Sequence, residues 1–145
     1  MIHLEEINGE NWREPLSVTE EQRHFVANTT TQLARAWAYR DSRSQARMVY
    51  DDDTPVGMLL YYDWDEGKQY VFSQLLVDRR YQGCGFGEQA ARMALDEMRA
   101  DGRYDQVCLC YVEGEEPARR LYEKLGFTPT GEVDGDEVIM ILEHL

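Results

Sequence analysis

The run Gln82-Gly83-Cys84-Gly85-Phe86-Gly87 follows an apolar segment, Val71 to Val77, and precedes a helical pattern that starts at Glu88. Alternating glycines permit a sharp turn with positive φ and let several backbone N–H groups converge on one point. A helix opening there adds the positive end of its dipole. Strand, glycine loop and helix in that order make a cradle for an anion such as a diphosphate. Two common nucleotide loops are excluded. Position 88 holds Glu88 where a dinucleotide fingerprint has its third glycine, and no Gly-Lys-Ser or Gly-Lys-Thr completes a Walker loop. The plainer alternative is a tight strand-to-helix turn that binds nothing.

The rest of the chain alternates helix and strand. Thr19-Glu20-Glu21-Gln22 has the form of a capping box, and Phe25, Val26, Leu33, Ala34 and Trp37 have roughly helical spacing, so helix is expected over 19–40, with Asn28 able to divide it. Ala46 to Tyr50 and Val56 to Trp64 read as a hairpin around Asp51-Asp52-Asp53-Thr54-Pro55, and Gln69 to Val77 as a third strand. Ala91, Leu95 and Met98 mark the buried stripe of a helix from about Glu88 to Ala100, ending near Gly102. Val107 to Val112 is a continuous apolar run expected to be covered on both faces. Pro117, Leu121, Leu125 and Gly126 outline a short helix, and Glu137 to Leu142 a closing strand. Strand and helix alternating in the second half predict a mixed α/β fold with a partly parallel sheet flanked by helices.

A length of 145 residues fits one domain spanning 1–145. Met1 to Trp12 contains no basic segment followed by an apolar run, and no apolar stretch of about eighteen residues occurs, so a cytoplasmic protein is expected, with neither secretion nor membrane insertion. Three cysteines, with Cys108 and Cys110 on one face of a strand, are a poor disulfide framework. Cys84 reads as a small loop residue whose backbone N–H matters. His3, His24 and His144 are scattered, and no metal site is expected. A net charge of −13 argues against nucleic acid and favours a cationic partner. An acidic surface also aids solubility, and 28 acidic residues beside only Lys68 and Lys124 also fit a saline habitat or genomic bias.

Together these motifs resemble the GNAT acetyltransferase superfamily. Its Gln/Arg-x-x-Gly-x-Gly/Ala signature corresponds to Gln82 through Gly87, preceded by Leu75-Leu76-Val77, and Ala118-Arg119-Arg120-Leu121-Tyr122-Glu123-Lys124-Leu125-Gly126-Phe127 matches a second family pattern. The resemblance covers about residues 46–142, and Ile7 to Glu14 resembles the bacterial spermine/spermidine acetyltransferase branch. It implies that acetyl-CoA lies in a splay between the strands 71–77 and 107–112. The backbone of Leu76 and Val77 would meet its acetyl and pantetheine groups. Gln82, Gly83, Cys84, Gly85, Phe86 and Gly87 would cradle its pyrophosphate, with Gln82 closing the loop through its side chain. Tyr122 matches the tyrosine that donates a proton to the departing thiolate, and its other reading is an aromatic core residue. Val77 N–H is the expected oxyanion donor.

Two departures from the family pattern stand out. Glu115 occupies the place of an asparagine that contacts the cofactor, where a carboxylate can cap the next helix but lacks an amide donor. Where some relatives carry a glutamate that serves as general base on the strand before the loop, this chain has Ser73 and Gln74, leaving Glu113, Asp63 or Asp65 to take the amine's proton through water. The implied function is acetyl transfer from acetyl-CoA to a primary amine, with a polyamine such as spermidine or spermine as the leading acceptor. Glu20, Glu21, Asp63, Asp65 and Glu66 are the candidates for holding its distal ammonium groups. An aminoglycoside, an amino acid or a protein N-terminus are alternative acceptors, and a non-catalytic acetyl-CoA sensor is an alternative role. The resemblance also suggests a homodimer, with Trp12, Trp37, Trp64 and Tyr61-Tyr62 available for an interface, a core or an acceptor pocket.

Overall fold

The computed structural model describes residues 1–145. Seven strands form one sheet: β1 (Ile2–Glu6), β2 (Gln45–Asp51), β3 (Thr54–Trp64), β4 (Gln69–Val77), β5 (Gln106–Val112), β6 (Thr128–Asp134) and β7 (Glu137–Leu142). Three helices accompany them: α1 (Thr29–Ala38), α2 (Phe86–Asp101) and α3 (Glu116–Lys124). The strand order is β1-β2-β3-β4-β5-β7-β6, and only the central pair, β4 and β5, runs parallel. The mixed, partly parallel α/β architecture is therefore the one the sequence predicts.

Helix α2 follows from its composition. Ala90, Ala91, Ala94, Leu95 and Met98 recur at helical spacing and bury against Tyr70 and Phe72 of β4, Val107 and Leu109 of β5, and Met140 of β7. Gly102 ends it at φ 72°, donating its N–H to Met98 O at 3.0 Å. On the opposite face of the sheet, Leu16, Val18, Met48, Met58 and Leu76 form a smaller core joined by Val26 and Leu33. Helix α1 packs there against β2 and β3. On that face β5 is not sealed, so the expectation of a strand covered on both faces is corrected. Val107 and Leu109 are buried, whereas Cys108 is half-buried and Cys110 exposed.

Other departures lie at the ends of the chain. The helix expected over 19–40 reduces to a 3-10 turn, Glu20–Gln22, and to α1, which Asn28 caps by accepting from Thr31 N–H at 2.8 Å. Strand β1 was not expected; it forms because β2 offers it an edge, with Ile2 opposite Asp51 and buried. Strand β6 was hidden by Pro129 and Gly131, residues tolerated at an outer edge and at an irregularity in its pairing with β7. Trp12, Trp37 and Trp64 are all substantially exposed and none belongs to the core. No helix is long and apolar enough to cross a membrane.

Candidate active site

Strands β4 and β5 are neighbours over only three residue pairs, Gln69 with Gln106, Tyr70 with Val107 and Val71 with Cys108. Beyond that point they part. Strand β5 continues along β7 as far as Val112 opposite Glu137, and β4 continues along β3 as far as Val77 opposite Gly57. Ser73 is the extra residue of a bulge, because Phe72 pairs with Tyr61 and Gln74 with Leu60. The separation opens a cleft of about 460 Å³, walled by Ser73 to Leu75 and Val77 on one side and by Cys110 and Tyr111 on the other. The glycine loop closes one end, and Glu115, Leu121 and Tyr122 contribute from the α3 segment.

The loop has the conformation its glycines permit. Gly83 and Gly85 both have φ of 80°, and Gly85 is the N-cap of α2. With no side chain on the cap, the N–H groups of Phe86, Gly87 and Glu88, at the N-terminal end of the helix, have no partner within it. Glu88 does not spoil this positive end. Its carboxylate is drawn aside by Lys124 at 2.7 Å and Arg92 at 3.2 Å, which together hold it below the usual range. A diphosphate therefore fits the donor set. The same donors suit any small dianion; the narrow cleft leading from them along β4 suits a longer ligand.

Two side-chain clamps hold the loop. Gln82 Nε2 donates to Val77 O at 3.0 Å and to Gln22 Oε1 at 2.8 Å, so its amide maintains the loop's shape and is not free for a ligand. Asp78, buried at the end of β4, accepts from Ser17 N–H, Arg80 N–H and Arg80 Nε at 2.8–3.0 Å. Burial opposes its ionisation, but those hydrogen bonds outweigh burial and place the carboxyl below its ordinary value. The N-terminal segment is thereby tied to the junction of β4 and the loop.

Tyr122 lines the cleft with its ring packed edge-on against Phe72 and Phe127, at centroid distances of 6.4 and 6.0 Å. Burial, with Glu115 adding to it, pushes its phenol well above the ordinary value, so it stays protonated at neutral pH. Glu115 stands at the N-cap of α3 but makes no capping hydrogen bond, correcting the expectation that its carboxylate would cap that helix. It faces the cleft instead, and burial raises its pKa.

The remaining expected residues divide sharply. Gln82, Gly83, Gly85, Phe86, Gly87 and Val77 line the cleft beside Glu115 and Tyr122. The Leu76 side chain points into the smaller core, leaving only its backbone for the site, and the Cys84 thiol is exposed at the loop tip. The acids expected near the acceptor do not gather there. Asp63 is buried between Arg43, at 2.6 Å, and Arg103, at 3.2 Å; Asp65 accepts from Tyr104 Oη at 2.5 Å. Asp63, near the end of β3, and Asp65 and Glu66, in the turn that follows, sit beside the start of β4, whereas the cleft opens at its end. Glu113 is exposed, and Glu20 and Glu21 lie in the exposed turn beside Gln22. Glu137, from the start of β7, lines the cleft and was missed, as was Gln22; neither sits in a local motif. No three His, Cys, Asp or Glu side chains converge as metal ligands do.

A split parallel pair leading into a glycine cradle defines an acyl-CoA-binding type of α/β domain. Residues 4–127 match the Acetyltransferase (GNAT) family, and the chain belongs to that family. It is 31% identical over 112 residues to mycothiol acetyltransferase of Corynebacterium glutamicum, covering 74% of this chain and 36% of that protein. It therefore spans little more than a third of that relative's length. Over 103 residues it is 29% identical to spermine/spermidine N(1)-acetyltransferase of Bacillus subtilis, covering 66% of this chain and 67% of that one. Among solved structures, spermidine N-acetyltransferase from Vibrio cholerae, in complex with CoA and spermine, superposes with a TM-score of 0.79 at 16% identity, covering 99% of this chain and 95% of that one. That similarity is one of fold.

Proposed function

We propose that the protein transfers an acetyl group from acetyl-CoA to the nitrogen of a small primary amine. The observation that carries this reading is the parting of β4 from β5 beside the glycine loop, with Tyr122 on the wall of the opening. The N–H groups of the loop and of the first turn of α2 would hold the diphosphate, and the backbone of Leu76 and Val77 would run beside the pantetheine. Acetyl-CoA, when bound, supplies the thioester. Val77 N–H is the donor proposed for the carbonyl oxygen as charge develops on it. The amine nitrogen would bond to the acetyl carbon as the carbon–sulfur bond breaks, and Tyr122 would give its phenolic proton to the departing sulfur and regain one from water in the cleft. The proton lost by the amine leaves through water, with Glu137 and Glu115 as the carboxylates the cleft offers to receive it.

Two acceptor classes have support. A polyamine is favoured by the net charge of −13, by Glu115 and Glu137 on the cleft wall, and by the likeness to the Bacillus subtilis protein. An amine that also carries a carboxylate is favoured by Arg35, whose guanidinium reaches Ser73 of that wall. The test is thiol release from acetyl-CoA with spermidine, spermine, lysine and an aminoglycoside. Turnover of any of them supports the transferase reading. Tight acetyl-CoA binding with no turnover across a wide amine panel replaces it with a sensor role.

A further inference from the structure

Four arginines are partly buried: Arg35, Arg43, Arg47 and Arg119. Three of them hold carboxylates: Arg43 pairs with Asp63 and Asp101, Arg47 with Glu97, and Arg119 with Glu116 and Glu123. Arg35 has no such partner, and its guanidinium makes one long contact, Nη1 to Ser73 Oγ at 3.5 Å. With 28 acidic residues against 15 basic ones, carboxylates are plentiful in this chain. A guanidinium drawn partly out of water without one carries a desolvation cost that the fold itself does not offset.

Its position is informative. Ser73 is the unpaired residue of the β4 bulge, two residues past Val71, where the pairing with β5 ends, and it lines the cleft. Arg35 therefore touches the wall of the cleft from α1 through Ser73, without itself lining the cleft. Beside it, Tyr62 stacks on Tyr39 with ring centroids 4.1 Å apart. Burial and Tyr39 push the Tyr62 phenol up to about 12, with Arg35 working in the opposite direction, so it remains a hydroxyl donor at neutral pH. The acids of the cleft, Glu115 and Glu137, come from the opposite wall, from the α3 cap and from β7. Carboxylates thus line the β5–β7 side of the cleft, and a cation stands behind Ser73 on the β4 side.

We infer that Arg35, with Ser73, anchors a carboxylate on the amine acceptor, so that the preferred acceptor is an amino acid or a similar amino-carboxylate. The guanidinium offers a planar fork of donors matched to a carboxylate, and the Ser73 hydroxyl adds one more. A second amino group on the same molecule, as in lysine or ornithine, would find Glu137 across the cleft. A polyamine, lacking any anion, would meet a like charge at Arg35. This inference rests on the reading of the cleft as an amine acetylation site.

The experiment compares acceptors that differ only by a carboxylate: L-lysine with cadaverine, L-ornithine with putrescine, and L-tyrosine with tyramine, alongside spermidine. Each is assayed for kcat/KM with wild type, Arg35→Ala, Arg35→Gln and Arg35→Lys. Each is also titrated calorimetrically into protein saturated with CoA, which reads binding independently of turnover. The expected result is a preference of roughly tenfold or more for the carboxylate member of at least one pair. That ratio should collapse towards one in Arg35→Ala and Arg35→Gln and recover in part in Arg35→Lys. Equal rates and equal binding within every pair overturn the inference, and so does a preference that survives the loss of Arg35. If no amine is acetylated but the carboxylate member still binds through Arg35, the transferase reading fails and the anchor stands.

Discussion

At the scale of single residues, the cleft depends on a few atoms whose surroundings fix their behaviour. Gly57 of β3 is one of them: a Cβ there would lie 2.3 Å from Leu76 O, a backbone atom that cannot step aside. Gly57→Ala should push β3 away from the end of β4 and lower stability by about 1–3 kcal/mol, read from denaturant unfolding. Glu115 is another. Its carboxyl binds a proton more tightly folded than unfolded, so the folded state holds the extra proton once the pH exceeds the unfolded value, and stability falls across that window. Glu115→Gln should therefore stabilise the protein at pH 7, with the gain disappearing below about pH 4. The same change removes a negative charge from a cleft proposed to hold a polyanion, so CoA should bind more tightly by calorimetry. The sequence singled out Glu115 as a departure, but the helix cap it allowed there does not form, because capping depends on a side-chain direction that only the fold sets.

At the scale of elements, a network at the start of β4 joins three of them. Arg43 bridges Asp63 of β3 and Asp101 at the end of α2, while Tyr70 of β4 donates to Asp101 at 2.5 Å. Hydrogen bonds from Arg43 and then Tyr70 hold the Asp101 carboxyl far below its usual range. A depressed carboxyl contributes stability that is complete above its unfolded pKa, near about 3.9, and is lost as the pH falls towards the folded value. Asp101→Asn should flatten the acid limb of the stability curve below about pH 4 and leave a constant deficit above it, measured by thermal unfolding against pH. This network holds Asp63 away from the cleft, and Tyr104 holds Asp65 in the same region. Their sequence position beside β4 was clear, but which end of the strand carries the cleft depends on where β5 leaves it. Elements with strong periodicity, such as α2 and the β2–β3 hairpin, were legible because their apolar residues repeat at one period. Strands β1 and β6 were not, since each owes its conformation to a partner strand rather than to its own pattern.

At the scale of the whole molecule, the split sheet carries a strong negative charge. With −13 spread over 145 residues, self-repulsion opposes the compact state, and added salt screens it. The melting temperature should rise between low salt and about 0.5 M sodium chloride, a range over which the screening length shortens severalfold. A fall would mean that attractive pairs such as Arg43–Asp63 outweigh the repulsion. The glycine loop and the second family pattern were readable because each is contiguous in sequence. The Arg35–Ser73 contact was not, because it joins residues 38 apart through a bulge with no sequence signature of its own. Acetyl transfer and acetyl-CoA binding measured side by side for wild type and Tyr122→Phe test the proposed chemistry of the cleft. The expected result is a fall in kcat of roughly 100-fold or more with the acetyl-CoA dissociation constant little changed. An unchanged kcat, or a wild-type protein that does not bind acetyl-CoA, would contradict it.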